Sequence, residues 1–130
     1  MMKALFYFLV LIFPMFGTAQ TGAKLVCEHP VFEFGVLDQS AMVTNVFRVR
    51  NDGDMTFVLK YVRSSCSCTR AWPDRRMIGP GETANIKSVY TAARRRGPQK
   101  KSLKLISAQT GEPELSLYFE GFVEPPAESR

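Results

Sequence analysis

The sequence is poor in the residues on which most catalytic and metal sites depend. It has a single histidine, His29, and only three cysteines among 130 residues. A histidine-dependent triad or general base therefore has one possible member, with no acid–nucleophile pattern near it. No glycine-rich phosphate loop follows a strand pattern. We predict a protein that is not an enzyme, with no catalytic residues, no cofactor and no assigned metal site.

Helical patterns are also scarce, since the sequence contains no repeat, no heptad and no convincing amphipathic helix after residue 19. Apolar and polar residues instead alternate with the period of two that is typical of strands. Eight prolines and nine glycines indicate many turns. With 45% hydrophobic and 22% charged residues, the chain has the composition of one globular domain.

A long hydrophobic run occurs only at the N-terminus, where Lys3 precedes unbroken apolar residues from Ala4 to Phe13. Small residues from Gly17 to Ala19 follow, and this three-part pattern predicts a secretory signal peptide over residues 1–19. The run is shorter than the ~20 residues that span a bilayer, so we expect cleavage and no membrane span afterwards. Export to the periplasm or the medium disfavours nucleic acid as the partner of a chain with net charge +5.

Strand patterns fill residues 20–130, with a core expected over 31–123. Phe32, Phe34 and Val36 are predicted to share one face, and Val62 is out of phase with its strand, which predicts a bulge. The turn at 51–54 predicts a hairpin between its flanking strands. The longer strands are predicted over residues 31–36, 42–50, 56–65, 84–91, 101–107 and 115–123.

About seven short strands with almost no helix predict an all-β, immunoglobulin-like antiparallel β-sandwich. The cysteines are not spaced to join two sheets around the single tryptophan, Trp72. We therefore expect apolar burial to stabilise the fold largely alone.

Five segments of the chain, in this order and spacing, resemble the DUF1573 family of bacterial exported domains. They are Phe32-Glu33-Phe34-Gly35, Phe47 to Gly53, Cys66-Ser67-Cys68-Thr69, Pro80-Gly81-Glu82 and Phe119-Glu120-Gly121. The resemblance covers Val31 to Val123 and implies an immunoglobulin-like fold and an envelope location, with no established activity. Ser67 stands where the family usually has glycine, and Cys27 lies outside the pattern.

The thiols allow three interpretations. Residues i and i+2 of an extended strand lie ~6.6–6.8 Å apart, so Cys66 and Cys68 can bond only if the chain curls at Ser67. An oxidised pair, with Cys27 as the third thiol or as one member, fits an exported protein. The alternatives are a redox-active or partner-capturing thiol, and capture of soft Cu or Zn by the Cys-Ser-Cys motif with Cys27 and His29.

The densest positive charge lies near a predicted loop and forms a candidate contact for an anion or a partner. It comprises Arg94, Arg95, Arg96, Lys100 and Lys101. The leading hypothesis is a non-catalytic, exported interaction or accessory module of the bacterial envelope that binds a protein of unknown identity through exposed edge strands. The alternative is a redox or soft-metal handling protein. The sequence leaves open the oligomeric state and the disulfide connectivity.

Overall fold

The computed structural model describes residues 22–127, which form two β-sheets. The strands are β1 Leu25–Cys27, β2 Val31–Leu37, β3 Met42–Asn51, β4 Phe57–Ser64, β5 Thr69–Pro73, β6 Met77–Ile78, β7 Thr83–Thr91, β8 Gly97–Ser107 and β9 Pro113–Val123. Sheet A has the order β1-β3-β7-β5, and sheet B has the order β2-β9-β8-β4-β6. The predicted sandwich is confirmed. Residues 22–127 hold nine strands rather than about seven because β1 and β6 are too short to alternate visibly.

The core lies between the sheets and follows the predicted alternation. On β7, Ala84, Ile86, Ser88 and Tyr90 are all buried, as their spacing of two predicts. The Phe119 ring of β9, in sheet B, packs against two rings of sheet A, edge-on to Phe47 at 5.7 Å and 6.1 Å from Tyr90. Edge-to-face pairs of this kind add to the free energy gained from burial.

The predicted hairpin at residues 51–54 is wrong, because the strands on either side belong to different sheets. β3 pairs with β7 and β1, whereas β4 pairs with β8 and β6. The turn residues tolerate a reversal, as the sequence indicated, but the reversal carries the chain across the sandwich. Local turn chemistry does not distinguish these two outcomes.

The crossing is organised by Asn51, whose side chain is fully buried. Its Oδ1 accepts hydrogen bonds from the backbone N–H groups of Lys24, at 3.1 Å, and Gly53, at 2.9 Å. Its Nδ2 donates to the carbonyl oxygens of Met55, at 2.7 Å, and Ile78, at 2.8 Å. One amide thus joins the start of β1, the turn after β3 and the end of β6.

The expectation of a wholly antiparallel fold is wrong for one pair, since β2 runs parallel to β9. The chain leaves sheet A after Cys27, passes through His29 and Pro30, and enters sheet B at Val31. The Tyr118 N–H donates to the Pro30 carbonyl at 2.8 Å. Proline has no N–H for the sheet A ladder, which fits the end of β1 at this point.

Two bulges decide which side chains reach the core. At Gly35, with φ of 72°, the register of β2 shifts, so Leu37 turns inward and Val36 is 63% exposed. The prediction that Val36 shares a face with Phe32 and Phe34 is therefore wrong. The bulge predicted near Val62 is confirmed, because the register of β4 shifts between Leu59 and Tyr61.

Gly121 of β9 makes room for the aromatic side chain that the first bulge delivers. A Cβ at this position would overlap the Phe34 ring. The same ring stacks on Tyr90 at 4.8 Å. The resemblance motifs at residues 32–35 and 119–121 therefore meet in one packing contact.

The predicted signal peptide, residues 1–19, lies outside the described residues. Between residues 22 and 127 there is no helix long and apolar enough to cross a bilayer.

Replacing Asn51 tests whether its amide holds the crossing together. Asn51→Ala leaves buried backbone donors and acceptors unpaired, so we expect the free energy of unfolding to fall by about 3 kcal/mol or more. Urea denaturation followed by circular dichroism measures the loss. A change within about 0.5 kcal/mol, as at an ordinary surface site, would contradict the assignment.

Asn51→Asp serves as the near-isosteric control, because a carboxylate keeps the two acceptor contacts and loses both donations. Its ionised form faces the Met55 and Ile78 carbonyl oxygens, which raises its pKa in the folded state. The stabilisation is then present at low pH and lost as the pH rises through that pKa. We expect the variant to recover stability on acidification relative to the unsubstituted protein.

Candidate functional site

The two neighbouring cysteines lie in the turn that carries the chain from β4 in sheet B to β5 in sheet A. Cys66 and Cys68 form a disulfide with their Cα atoms 5.1 Å apart. This separation is shorter than the repeat of an extended strand, so the chain curls at Ser67, as bonding requires. Of the pairings left open by the sequence, the structure contains the one between nearest neighbours.

The thiol turn is held by short-range hydrogen bonds. Ser64 Oγ donates to the Cys66 carbonyl at 2.6 Å, and the Thr69 N–H donates to the same oxygen at 3.3 Å. Cys68 is only 5% exposed and packs against the core, whereas Cys66 is half-buried. A thiolate in solution can therefore reach the Cys66 sulfur more readily than the Cys68 sulfur, which sets the direction of any exchange.

Cys27 does not join this pair. It lies in β1 at one edge of sheet A, and the disulfide precedes β5 at the other edge, three strand spacings away. The two sites also lie at opposite ends of the sheet. Cys27 pairs with Val49, which lies opposite Ala84 near the start of β7. The Cys68 carbonyl accepts a hydrogen bond from the N–H of Thr91, at the end of β7. The thiols are thus more than ~20 Å apart. The four-residue metal set that includes Cys27 and His29 is not assembled.

Burial raises the pKa of the Cys27 thiol above its ordinary value. A backbone hydrogen bond from His29 lowers this pKa and the charge of Glu28 raises it, but both effects are smaller than that of burial. The thiol form therefore dominates at neutral pH, and the thiolate is the nucleophile. Cys27 has the environment of an unreactive thiol.

The five basic candidates do not form one surface. Arg94 and Arg96 are exposed in the loop before β8, whereas Arg95 is half-buried, with its Nε shielded from water. Lys100 points outward, 3.5 Å from Glu120 and over the Tyr118 ring. Lys101 alternates with Lys100 and lies on the inward side of β8, in phase with Leu103. Residues adjacent in the sequence are divided between two faces of the sheet.

The exposed strand edge expected from the sequence is found in sheet A, at a position that the sequence did not indicate. β1 pairs with β3 only from Val49 to Asn51, so no strand of residues 22–127 covers that side of β3 from Met42 to Arg48. The Asn51 N–H donates to the carbonyl of Glu82, just before β7, and the Ala41 carbonyl accepts from the N–H of Ala92, just after β7. The odd-numbered residues of β3 therefore direct their backbone groups toward β7. Because successive residues alternate, the even-numbered residues direct theirs toward the open side.

The open backbone groups belong to four residues, and a groove runs beside them. These residues are Met42, Thr44, Val46 and Arg48. The groove has a volume of about 900 Å³ and extends from β3 to the start of β2, where Val31 and Phe32 form its apolar wall. Glu28, Arg48 and Arg50 supply charge along it. An extended chain with alternating side chains matches this combination of backbone donors, acceptors and an apolar wall.

Two facing sheets in this strand order define an immunoglobulin-like β-sandwich. The sandwich resembles the ASH/PapD-like domain 7 of human CEP192, with a TM-score of 0.58 and 13% identity over 89% of this chain and 95% of that one. The family profile described as protein of unknown function (DUF1573) matches residues 25–123. The chain belongs to the DUF1573 family, as the five segments predicted.

Two bacterial structures share the fold over part of their length. A Porphyromonas gingivalis W83 protein of unknown function has a TM-score of 0.64 and 19% identity over 85% of this chain, which spans 51% of that protein. The secreted serine protease VesC of Vibrio cholerae has a TM-score of 0.56 and 13% identity, and the match covers 85% of this chain and 25% of the VesC chain. These likenesses establish the fold alone. No curated protein sequence is significantly similar to the chain.

Removing the disulfide separates a structural role from a chemical one. The Cys66–Cys68 bond closes a loop of three residues, and by restricting the unfolded chain such a loop stabilises the fold by about 1.5 kcal/mol. We expect Cys66→Ser/Cys68→Ser to fold and to lose about that free energy of unfolding in urea. Reduction of the unsubstituted protein is the matched control and should produce the same loss. Loss of cooperative unfolding would assign the bridge a structural role instead.

Alkylation with iodoacetamide under non-reducing conditions tests the state of the third thiol. We expect one modified cysteine, Cys27, by mass mapping, because the other two are bonded. Since the pKa of Cys27 is raised, its rate should be slower than that of the urea-unfolded chain at neutral pH and should approach it as the pH rises. Cys27→Ser provides the blank. Three modified cysteines in the folded protein would refute the pairing.

Proposed function

We propose that the domain is a non-catalytic, exported module of the bacterial cell envelope that binds a protein partner by accepting one of its strands along β3. The single observation that carries this proposal is the open backbone of Met42, Thr44, Val46 and Arg48, beside a groove with an apolar wall. An unpaired strand edge is a template for another chain. Main-chain hydrogen bonds supply affinity and the groove supplies selectivity.

The geometry defines the form of the bound strand. It occupies the line that β1 would follow if it continued past Cys27, alongside about seven residues of β3. Its inward side chains enter the groove next to Phe32 and Asn45, and its outward side chains lie beside Val46 and Arg48. We therefore expect a partner segment with apolar residues at alternate positions and an acidic residue near Arg48.

The leader pattern of residues 1–19 supports export. Membership of the DUF1573 family supports a location in the bacterial envelope, which is what the resemblance implies. The fold likeness to VesC covers a quarter of that protease, so its activity does not transfer to this chain. The single histidine lies beside Pro30 in the passage between the sheets, a position suited to a connection.

Proline at Val46 tests strand addition with little change to the rest of the fold. Val46→Pro removes an N–H that faces the open side, whereas the ladder to β7 uses the odd-numbered residues. Envelope proteins captured by the unsubstituted mature domain are identified by mass spectrometry. We expect the strand-adding partner to bind Val46→Ala normally and Val46→Pro at least ten-fold more weakly.

Hydrogen exchange supplies the second readout for that partner. In the free domain, the amides of Thr44, Val46 and Arg48 should exchange faster than those of Asn45 and Phe47, which face β7. Binding of the captured partner should slow the first set selectively. A partner that binds Val46→Pro at full strength, or that leaves these amides unprotected, would overturn the proposal.

A second candidate function is thiol–disulfide exchange at Cys66–Cys68. It is favoured by the half-buried Cys66 sulfur in a bridge that adds little to stability. The variant Cys66→Ser/Cys68→Ser tests this function. A variant that folds but no longer forms mixed disulfides with a small thiol is the expected result if exchange is the function.

A further inference from the structure

The outer face of sheet A carries positive charge that the protein does not neutralise. Arg48 of β3, Lys87 of β7 and Arg70 of β5 are exposed, and none forms an ion pair within residues 22–127. No acidic residue belongs to the outward positions of these three strands. The nearby carboxylates lie at the end of the face that holds Arg48. Glu28 lines the groove beside Arg48, Asp52 pairs with Arg50, and Asp74 contacts Asn85, which lies opposite Arg48.

The register arranges the three free cations in a line. Val46 lies opposite Lys87, and Lys87 lies opposite Trp72. Arg48 is two residues along β3 in one direction, and Arg70 is two residues along β5 in the other. With strands ~4.8 Å apart and two residues spanning ~6.8 Å, neighbouring cations on this diagonal are about 8 Å apart at the backbone.

An aromatic surface accompanies the line of charge. Trp72 is 49% exposed on β5, next to Lys87 across the ladder and two residues from Arg70. Val46 is 54% exposed on the other side of Lys87. Val89 lies on β7 directly opposite Arg70. An exposed indole offers a flat apolar surface beside charged groups, and such a side chain is enriched where a ligand is bound.

We propose that this face binds a linear anionic polysaccharide. The straight diagonal of unpaired cations matches a chain that repeats its carboxylates, and the apolar C–H face of a sugar ring can lie on the Trp72 indole. A compact acidic protein does not require cations in a line. Binding to a lipid surface commonly buries the apolar face of an amphipathic helix, and the regular elements of residues 22–127 are all strands. The inference does not require strand addition, since Lys87, Arg70 and Trp72 lie on β7 and β5, and only Arg48 and Val46 belong to the open edge as well.

Binding to polygalacturonate, a soluble linear polyuronate, measured by isothermal titration calorimetry, tests the proposal. We expect saturable binding that weakens steeply with added salt, because exposed charges are screened. Lys87→Glu should weaken binding at least ten-fold. Lys60 is also exposed and lies on β4 in the other sheet, so Lys60→Glu changes the net charge identically and should have little effect.

Trp72→Ala separates stacking from charge. It should reduce affinity several-fold while leaving the dependence on salt unchanged, because no charge is removed. Neutral dextran should not bind. Thermal unfolding of each variant checks that these exposed substitutions leave the fold intact.

Three results would overturn the inference. They are equal losses for Lys60→Glu and Lys87→Glu, no saturable binding to the polyuronate, or stronger binding to anionic phospholipid vesicles that is equally lost in Trp72→Ala. A failed Val46→Pro experiment alone would leave this inference intact, since that experiment concerns the edge of β3 and a protein partner.

Discussion

The buried amide of Asn51 is the constraint on which the arrangement of the chain depends. A carboxamide has two donor hydrogens and an acceptor oxygen, and here two backbone carbonyls and two backbone N–H groups use them. The Asn51 backbone also bonds Glu82 and Gly81 of the turn before β7. Leaving any of these groups buried without a partner would cost free energy. Satisfying them together fixes one end of both sheets.

From β1 to β8, every connection between consecutive strands crosses from one sheet to the other, and only β8 and β9 form a hairpin. Nearly all pairing is therefore non-local. This explains why alternation predicted burial well on β3 and β7, whereas the predicted hairpin failed. Alternation is a property of each strand alone, but the choice of sheet depends on groups such as Ile78 that lie 27 residues from Asn51.

The candidate sites were also predictable where they depend on one segment and not where they depend on pairing between distant strands. The curl at Ser67 followed from the reach of a disulfide and was predictable. Lys100 and Lys101, neighbours in the sequence, point to opposite sides of β8 because strand residues alternate. Arg48, Lys87 and Arg70 are far apart in the sequence and form a line only through the register of three strands. Charge density along the chain therefore does not reveal this line of cations.

The passage at Pro30 links the two features of sheet A. Because the chain leaves for sheet B there, β1 stays short and the side of β3 from Met42 to Arg48 stays open. The same even-numbered residues direct their side chains to the outer face. A strand added at this edge would widen the outer face by one strand and place its own side chains beside Val46 and Arg48. An acidic strand would neutralise one end of the line of cations, so the occupants of the edge and the face are thermodynamically linked.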